Sequence, residues 1–227
     1  MIDLTEQETI AYVNLNWPDA SILTEEMLSD LTKLIDYLED ESQCKLVIFK
    51  GLNTEKVSVN PNPPNIDICR KWENFLLRIE RFLGASMACI DGFCTRFHLQ
   101  LALVCDYRVA TTNSSFQIPE VKEGYLPGMS VFRLAKYTGI GIARRLLFTG
   151  MKWSIKEAVI FGIIDSQCDS EELTKAIQDA QESLMPINPE VLRNTRRLLN
   201  ESFATSYEEA IGHFLAVQNL VLSPKKI

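Results

Sequence analysis

The sequence predicts an α/β fold, because short apolar segments alternate with longer segments whose apolar residues recur at helical spacing. Residues 9–15 form the first predicted strand and are followed by a turn. A helix is predicted after Thr24, which is a suitable N-cap with two glutamates in the first turn behind it. Residues 45–50 form the next strand. A strand, helix and strand of these lengths imply a right-handed crossover and a parallel pair of strands.

The same alternation continues beyond a segment, residues 51–66, that is rich in proline and asparagine and is therefore predicted as loop. We predict helices at 72–83, 99–104 and 155–161 and strands at 86–90, 107–110 and 163–164. After Cys168 the pattern is helical, over 171–184, 189–200 and 206–222. We therefore divide the chain into a core domain, residues 1–168, and a C-terminal helical segment, residues 169–227.

Composition favours a water-soluble protein. Hydrophobic residues make up 46% of the 227 residues, enough for a sizeable core. No apolar run reaches the roughly 18 residues that cross a bilayer, and the N-terminus does not resemble a signal peptide. We expect cytoplasmic residence and no membrane partner. The net charge of −7 makes nucleic acid a poor partner.

Short motifs of other functional classes are missing from the sequence. The six cysteines form no CxxC pair and lie among apolar residues, which is typical of reduced core thiols. Metal-ligand spacings, dinucleotide-binding glycines and a phosphate-binding loop are also absent, so we expect no metal and no cofactor. The basic pairs Arg144-Arg145 and Arg196-Arg197 are read as solvated helix faces.

Residues 86–128 carry the most specific pattern of the chain. An apolar strand ends in Asp91-Gly92, a turn then opens a helix that ends in Cys105-Asp106, and Pro119-Glu120 precedes a Leu-Pro-Gly turn at Gly128. This order resembles the crotonase (enoyl-CoA hydratase/isomerase) superfamily. The resemblance implies a ββα superhelix with a C-terminal helical segment that assists trimer formation. It also implies an acyl-CoA or acyl-carrier thioester as substrate.

Two departures from that family pattern concern the chemistry. Arg96, Phe97 and His98 stand where the family usually has three glycines, and Gln100 stands where a catalytic glutamate often lies. Glu120 matches the family's general acid or base. Because an amide cannot take a proton, Gln100 removes half of the apparatus with which a hydratase activates water.

Enzymes of this superfamily stabilise the oxyanion of the thioester with two backbone N–H groups. The resemblance places one donor near Phe97, at the start of the active-site helix. It places the other in the loop 57–62, where Pro61 has no N–H to offer and Asn60 or, alternatively, Val59 could serve. Asn60 and Phe97 are therefore the predicted oxyanion donors.

Two further residues are predicted to line the pocket. His98 has an ordinary pKa near neutrality and is a candidate acid or base, although a lone histidine at an apolar helix start is more often structural. Tyr125 lies in the same loop as Glu120. Catalytic work is assigned to Glu120 and its neighbour Gln100.

Three segments, residues 71–82, 126–139 and 203–218, are similar to the auxiliary crotonase-like proteins of dihydroxyphenylacetyl-CoA and dihydroxyphenylglycine formation in antibiotic biosynthesis. This narrower resemblance implies an acyl-CoA dehydratase, hydratase or isomerase of secondary metabolism that assists a type III polyketide synthase. The alternative is a catalytically degenerate subunit that stabilises a homologous crotonase or the synthase. Either a homotrimer or a hetero-oligomer with a related crotonase fits these readings.

Overall fold

Strands and helices alternate up to residue 168 and helices follow to the end of the described chain. The computed structural model describes residues 2–17, 19–54 and 63–222. The strands are β1 (Ile2–Gln7), β2 (Ile10–Leu15), β3 (Leu46–Lys50), β4 (Ala85–Ile90), β5 (Phe93–Thr95), β6 (Tyr107–Thr111), β7 (Ser115–Gln117), β8 (Trp153–Ser154) and β9 (Ser166–Cys168). The helices are α1 (Glu25–Asp40), α2 (Ile66–Arg81), α3 (Arg96–Ala102), α4 (Ser130–Thr149), α5 (Ile155–Ile160), α6 (Leu173–Leu184), α7 (Pro189–Glu201) and α8 (Tyr207–Leu222), with a 3₁₀ turn at Ser170–Glu172.

The strands form two sheets. The larger has the order β1-β2-β3-β4-β6-β9, in which only the β1–β2 pair is antiparallel. The smaller has the order β5-β7-β8, parallel and then antiparallel. The α/β prediction and the parallel pairing of β2 with β3 are confirmed. Within the described residues, no helix is long and apolar enough to span a membrane.

Local sequence signals explain where the helices begin. The Thr24 side chain accepts a hydrogen bond from the Met27 N–H at 3.2 Å and caps α1, as predicted. Helix α2 begins at Ile66, six residues before the predicted start, because Asn65 caps it through the Ile68 N–H at 2.9 Å. Ile68 lies on the same buried face as Trp72, so the apolar spacing of α2 begins one turn before the predicted start.

The predicted strand at 163–164 is wrong. Ile163 and Ile164 are buried, but their N–H groups bond to the carbonyl of Ala158 and close the end of α5. The strand follows as β9, Ser166–Cys168, which pairs with β6. The two isoleucines are buried as a strand would require, but their backbone hydrogen bonds are those of a helix end.

The core lies on both sides of the larger sheet. One side packs against α1, α2 and α3 and contains most of the large apolar side chains, with Trp72 and Phe97 among them. The other side is smaller and is covered by α6 through Ile177 and Ala180. Each face of the sheet is thus covered, as parallel strands require.

Arg196 on α7 is buried and binds the ends of two other elements. Its guanidinium donates to both carboxylate oxygens of Asp106, at 2.6 and 2.7 Å, and to the carbonyls of Phe82 and Gly84, at 2.7 and 2.8 Å. The same Asp106 accepts from the Ser86 N–H at 2.8 Å. Arg196 therefore attaches α7 to the core, and the prediction of a solvated helix face is wrong for this residue.

Replacing Arg196 by methionine should lower the free energy of unfolding by about 3–5 kcal/mol, because Asp106 loses its buried cation and the carbonyls lose their donor. Denaturant unfolding measures the loss. The matched control is Arg197→Met, one residue further along. Arg197 is half exposed and forms an ion pair with Glu201 on its own helix, so about 1 kcal/mol or less is expected. Equal losses in the two variants would contradict the structural role given to Arg196.

Candidate active site

The structure brings Glu120 and Gln100 together in the core. Gln100 lies on α3, and Glu120 lies in the turn after β7, 2% exposed. The Gln100 side-chain Nε2 donates to the Glu120 Oε1 at 3.2 Å, while Oε2 has no hydrogen-bond partner among the described residues. Trp72 on α2 completes the group, since its indole Nε1 donates to the Gln100 Oε1 at 2.7 Å. Sequence reasoning missed Trp72, which it assigned only to the apolar face of a helix.

Burial dominates the electrostatics of Glu120. Loss of hydration disfavours the ionised carboxylate and raises the pKa of Glu120 to about 7. A backbone hydrogen bond, the charge of Arg96 and the bond from Gln100 each act in the opposite direction but do not overcome it. The group can therefore hold or release a proton near neutral pH, as a general acid or base must.

Arg96 lies beside this carboxyl group and is directed to other partners. Its guanidinium is 2% exposed, donates to the Tyr125 hydroxyl at 2.5 Å and forms an ion pair with Glu123 at 2.5 Å. Tyr125 thus lies where the sequence placed it, near Glu120. Burial raises the pKa of the Tyr125 hydroxyl to about 12, so it stays protonated at neutral pH.

The backbone keeps a glycine-like turn even though the glycines are replaced. Arg96 has a φ of +50°, a left-handed conformation that costs a residue with a side chain about 1–2 kcal/mol. Phe97 follows as the second residue of α3, where N–H groups have no partner inside the helix, and Thr95 gives the helix no side-chain cap. The Phe97 N–H therefore lies in the first turn of α3, and its role as an oxyanion donor stays a prediction. The other predicted donor, Asn60, lies outside the described residues.

The described residues around Glu120 enclose a cavity of about 30 Å³. That is room for about two water molecules. Phe97, Gln100, Glu120 and Tyr125 all line it. The Phe97 ring packs edge-on against Trp72, with 5.4 Å between the ring centres, and fills space that glycine would leave open.

His98 lies away from this cavity. It is completely buried, and its ring stacks on Trp17 at a centroid distance of 6.0 Å. Burial lowers the pKa of His98 to about 4, so the imidazole is neutral at physiological pH. The structure therefore does not bring His98 together with Glu120 and Tyr125.

Comparison with known proteins places this site in a family. The sequence profile described as enoyl-CoA hydratase/isomerase matches residues 64–220, which is more than two thirds of the chain. The chain belongs to the enoyl-CoA hydratase/isomerase family.

Individual proteins similar to this chain support its membership of the family. A short-chain-enoyl-CoA hydratase of Clostridium acetobutylicum is 22% identical over 92% of this chain and 84% of its own length. A (3,5-dihydroxyphenyl)acetyl-CoA 1,2-dioxygenase of Amycolatopsis orientalis is 26% identical over 68% of this chain and 38% of its own. The crystal structure of an enoyl-CoA hydratase from Bacillus anthracis superposes with a TM-score of 0.86 at 18% identity, covering 99% of this chain and 92% of that one. The crotonase fold is thus confirmed.

Family membership supports a hydratase/isomerase-like function, and binding of an acyl-CoA thioester fits it. Against the family pattern, the arrangement around Glu120 shows one buried carboxyl group with an amide beside it. The Glu120 carboxyl group can accept or donate one proton at a time.

The raised pKa of Glu120 gives a stability prediction. Between about pH 4.5 and 7 the folded protein binds more protons than the unfolded chain, so stability falls as the pH rises through this window. Glu120→Gln removes this dependence. Relative to the wild type, its free energy of unfolding should rise by about 3 kcal/mol between pH 4 and pH 8.

Urea unfolding at several pH values checks this. The control is Glu182→Gln on α6, which makes the same substitution at an exposed glutamate. A parallel pH dependence in wild type and Glu120→Gln would show that Glu120 ionises normally.

Proposed function

We propose that the protein is an acyl thioester dehydratase or isomerase in which Glu120 moves the proton. The observation that carries the proposal is a buried carboxyl group with a pKa near 7, beside a cavity, with one oxygen free of hydrogen bonds. The Phe97 N–H would hold one side of the developing oxyanion. A second donor would come from the loop around Asn60. The proposal includes no cofactor and no metal, and it places the protein in the cytoplasm.

One carboxylate suffices for both reactions. In isomerisation, Glu120 takes the proton from the carbon next to the thioester carbonyl, the double bond shifts, and the same proton returns to a later carbon. In dehydration, Glu120 takes the same proton and returns it to the 3-hydroxyl group as the C–O bond breaks and water leaves. In each, the negative charge formed on the carbonyl oxygen is stabilised by backbone N–H groups. A hydratase with two carboxylates is less compatible with Gln100.

The substrate we favour is the thioester that precedes an aromatic, dihydroxyphenylacetyl-type CoA, and the partner a type III polyketide synthase. Support comes from the three segments similar to auxiliary proteins of that route. The relative named as a (3,5-dihydroxyphenyl)acetyl-CoA 1,2-dioxygenase acts on a CoA thioester of the same aromatic class. Secondary metabolism and antibiotic formation are the setting this proposal implies.

A second candidate is a binding subunit without catalysis, and the size of the cavity favours it. A space of about 30 Å³ does not admit an acyl group unless side chains move. Phe97 and the Arg96 ion pair occupy the room that three glycines would leave. In this version the protein stabilises a homologous crotonase or the synthase.

An aromatisation assay separates the two candidates. A dihydroxyphenylacetyl-CoA synthase is supplied with malonyl-CoA, alone, with wild-type protein and with Glu120→Gln. If Glu120 moves the proton, stimulation by the variant should fall by about 100-fold or more. The exposed Glu182→Gln serves as control and should stimulate like the wild type. Equal stimulation by wild type and Glu120→Gln would exclude proton transfer by Glu120 and leave the binding role.

We infer a trimer for the C-terminal segment, residues 169–227. Helix α8 carries no buried residue, and its apolar side chains Leu215 and Leu220 are 58% and 73% exposed. Apolar residues also remain exposed on α4, with Ile140 at 64% and Phe148 at 67%. Exposed apolar surface of this extent is typical of subunit interfaces. A homotrimer or a mixed trimer with a related crotonase would cover it.

Introducing charge into α8 tests this assembly. Leu215→Lys with Leu220→Lys should convert the trimer to monomer, because lysine side chains cannot be buried unpaired in an apolar interface. Light scattering coupled to size-exclusion chromatography measures the mass. The control is Glu182→Lys, an exposed change on α6. A wild-type mass of one chain at micromolar concentration, with no crotonase partner, would contradict the homotrimer.

A further inference from the structure

A chain of two hydrogen bonds runs from the indole of Trp72 to the carboxyl group of Glu120. The Trp72 Nε1–H donates to the Gln100 Oε1 at 2.7 Å, and the Gln100 Nε2–H donates to the Glu120 Oε1 at 3.2 Å. All three side chains are buried, with Trp72 only 1% exposed. The partners come from α2, α3 and the turn after β7, so only the folded chain assembles them.

The chemistry of the indole fixes the orientation of the Gln100 amide. An indole N–H can only donate a hydrogen bond, so the atom of Gln100 that faces Trp72 must be the carbonyl oxygen. The NH₂ group therefore faces Glu120. In the flipped orientation two donors would face each other in the core and an amide oxygen would face a carboxylate oxygen. Both contacts are unfavourable without water to relieve them.

This orientation determines which oxygen of Glu120 can carry a proton. The Oε1 atom accepts from an NH₂ group that cannot turn away, so a proton on Oε1 would point at another donor. We propose that Trp72 is a positioning residue which, through Gln100, directs the exchangeable proton of Glu120 to Oε2. The oxygen without a hydrogen-bond partner is thereby the one left for a substrate. The catalytic consequence rests on the proposed function, but the position of the proton does not.

Other charged groups surround Glu120 and bear on its titration. Arg96 acts on Glu120 through its charge, and it is held by the ion pair with Glu123 and by the Tyr125 hydroxyl. The Glu123 carboxylate raises the pKa of Glu120, and Arg96 lowers it. Tyr125 stays neutral until strongly alkaline pH because its pKa is about 12.

Two groups of α2 also line the cavity. The pKa of the Cys69 thiol is raised by burial, so it remains neutral through the range in which Glu120 titrates. Glu73 is ion-paired to Arg133 at 2.9 Å and accepts from the Met129 N–H at 2.7 Å. Arg133 lies on α4, and Met129 is the residue that precedes this helix.

A double-mutant cycle on the pKa of Glu120 tests the proposal without any substrate. The carboxyl carbons of glutamate are labelled with ¹³C, and the Glu120 signal is followed with pH in wild type, Trp72→Phe, Gln100→Met and the double variant. Phenylalanine removes the indole donor and keeps the aromatic packing. The amide is then free to turn, and a neutral Glu120 can donate to it. We expect the pKa to rise by about one unit, a tenfold change in the ionisation constant.

Coupling through Gln100 has a specific signature. Gln100→Met should raise the pKa by a similar amount, and adding Trp72→Phe to it should change nothing more. A full further rise in the double variant, or no rise in Trp72→Phe alone, would overturn the proposal. The matched control is Trp153→Phe, a tryptophan equally buried beside Phe116 with an unpartnered Nε1, which should leave the pKa of Glu120 unchanged.

A second measurement covers the case in which Trp72→Phe does not fold. In ¹⁵N-labelled protein with an intact Trp72, Gln100→Met removes the acceptor of the indole N–H, so its proton resonance should move upfield. An unmoved resonance would overturn the proposal.

Hydration of crotonyl-CoA and the aromatisation assay are run in parallel. If the titrations behave as expected while Glu120→Gln leaves activity unchanged, the proposed function fails and the positioning by Trp72 stands.

The converse outcome is equally distinct. Suppose that Glu120→Gln abolishes activity while the pKa of Glu120 is unchanged in Trp72→Phe and Gln100→Met. That result supports the proposed function and refutes the positioning role. Where turnover is measurable, Trp72→Phe should move the limb of the pH–rate profile that reports Glu120 in the same direction as the pKa. A loss of packing alone would lower the rate without moving that limb.

Discussion

The Glu120 carboxyl group is removed from water, and no cation of the described residues forms an ion pair with it. The rest of the site depends on this constraint. Had Arg96 paired with the carboxyl group, the pKa would fall and the group would stay ionised at neutral pH. Arg96 instead donates through Nη1 to Tyr125 and through Nη2 to Glu123. Its charge reaches Glu120 only as a longer-range effect that is smaller than the cost of burial. A proton can therefore be exchanged near pH 7.

The substituted glycine turn shows how a backbone can persist when its residues change. At Arg96 the chain keeps a φ of +50°, which glycine would adopt without cost. The ion pair and the hydrogen bond of the guanidinium offset the strain. Helix α3 begins at this residue, and the Phe97 ring and the Arg96 guanidinium fill space beside its first turn. Side chains at these positions therefore reduce the size of the cavity.

Sequence patterns predicted the elements that have strong periodic signals, and they failed where partners lie far apart in the chain. Helix α1 and strands β2, β3, β4 and β6 follow from apolar spacing and one cap. The small sheet of β5, β7 and β8 has strands of two or three residues, too short for any period to be visible. Arg196 looked like a surface residue because its partners lie about 90 and 110 positions earlier. The hydrogen bond between Trp72 and Gln100 joins residues 28 positions apart, and the sequence around neither residue predicts it.

The burial of Arg196 and the position of the site are connected through the ends of α2 and α3. Arg196 binds the carbonyls of Phe82 and Gly84, just beyond α2, and the carboxylate of Asp106, just beyond α3. Trp72 is carried by the first of these helices and Gln100 by the second. A hydrogen bond of 2.7 Å between them tolerates little relative movement of the two helices. Helix α7, although it contributes no side chain to the cavity, therefore helps to hold the donor of Gln100 against Glu120.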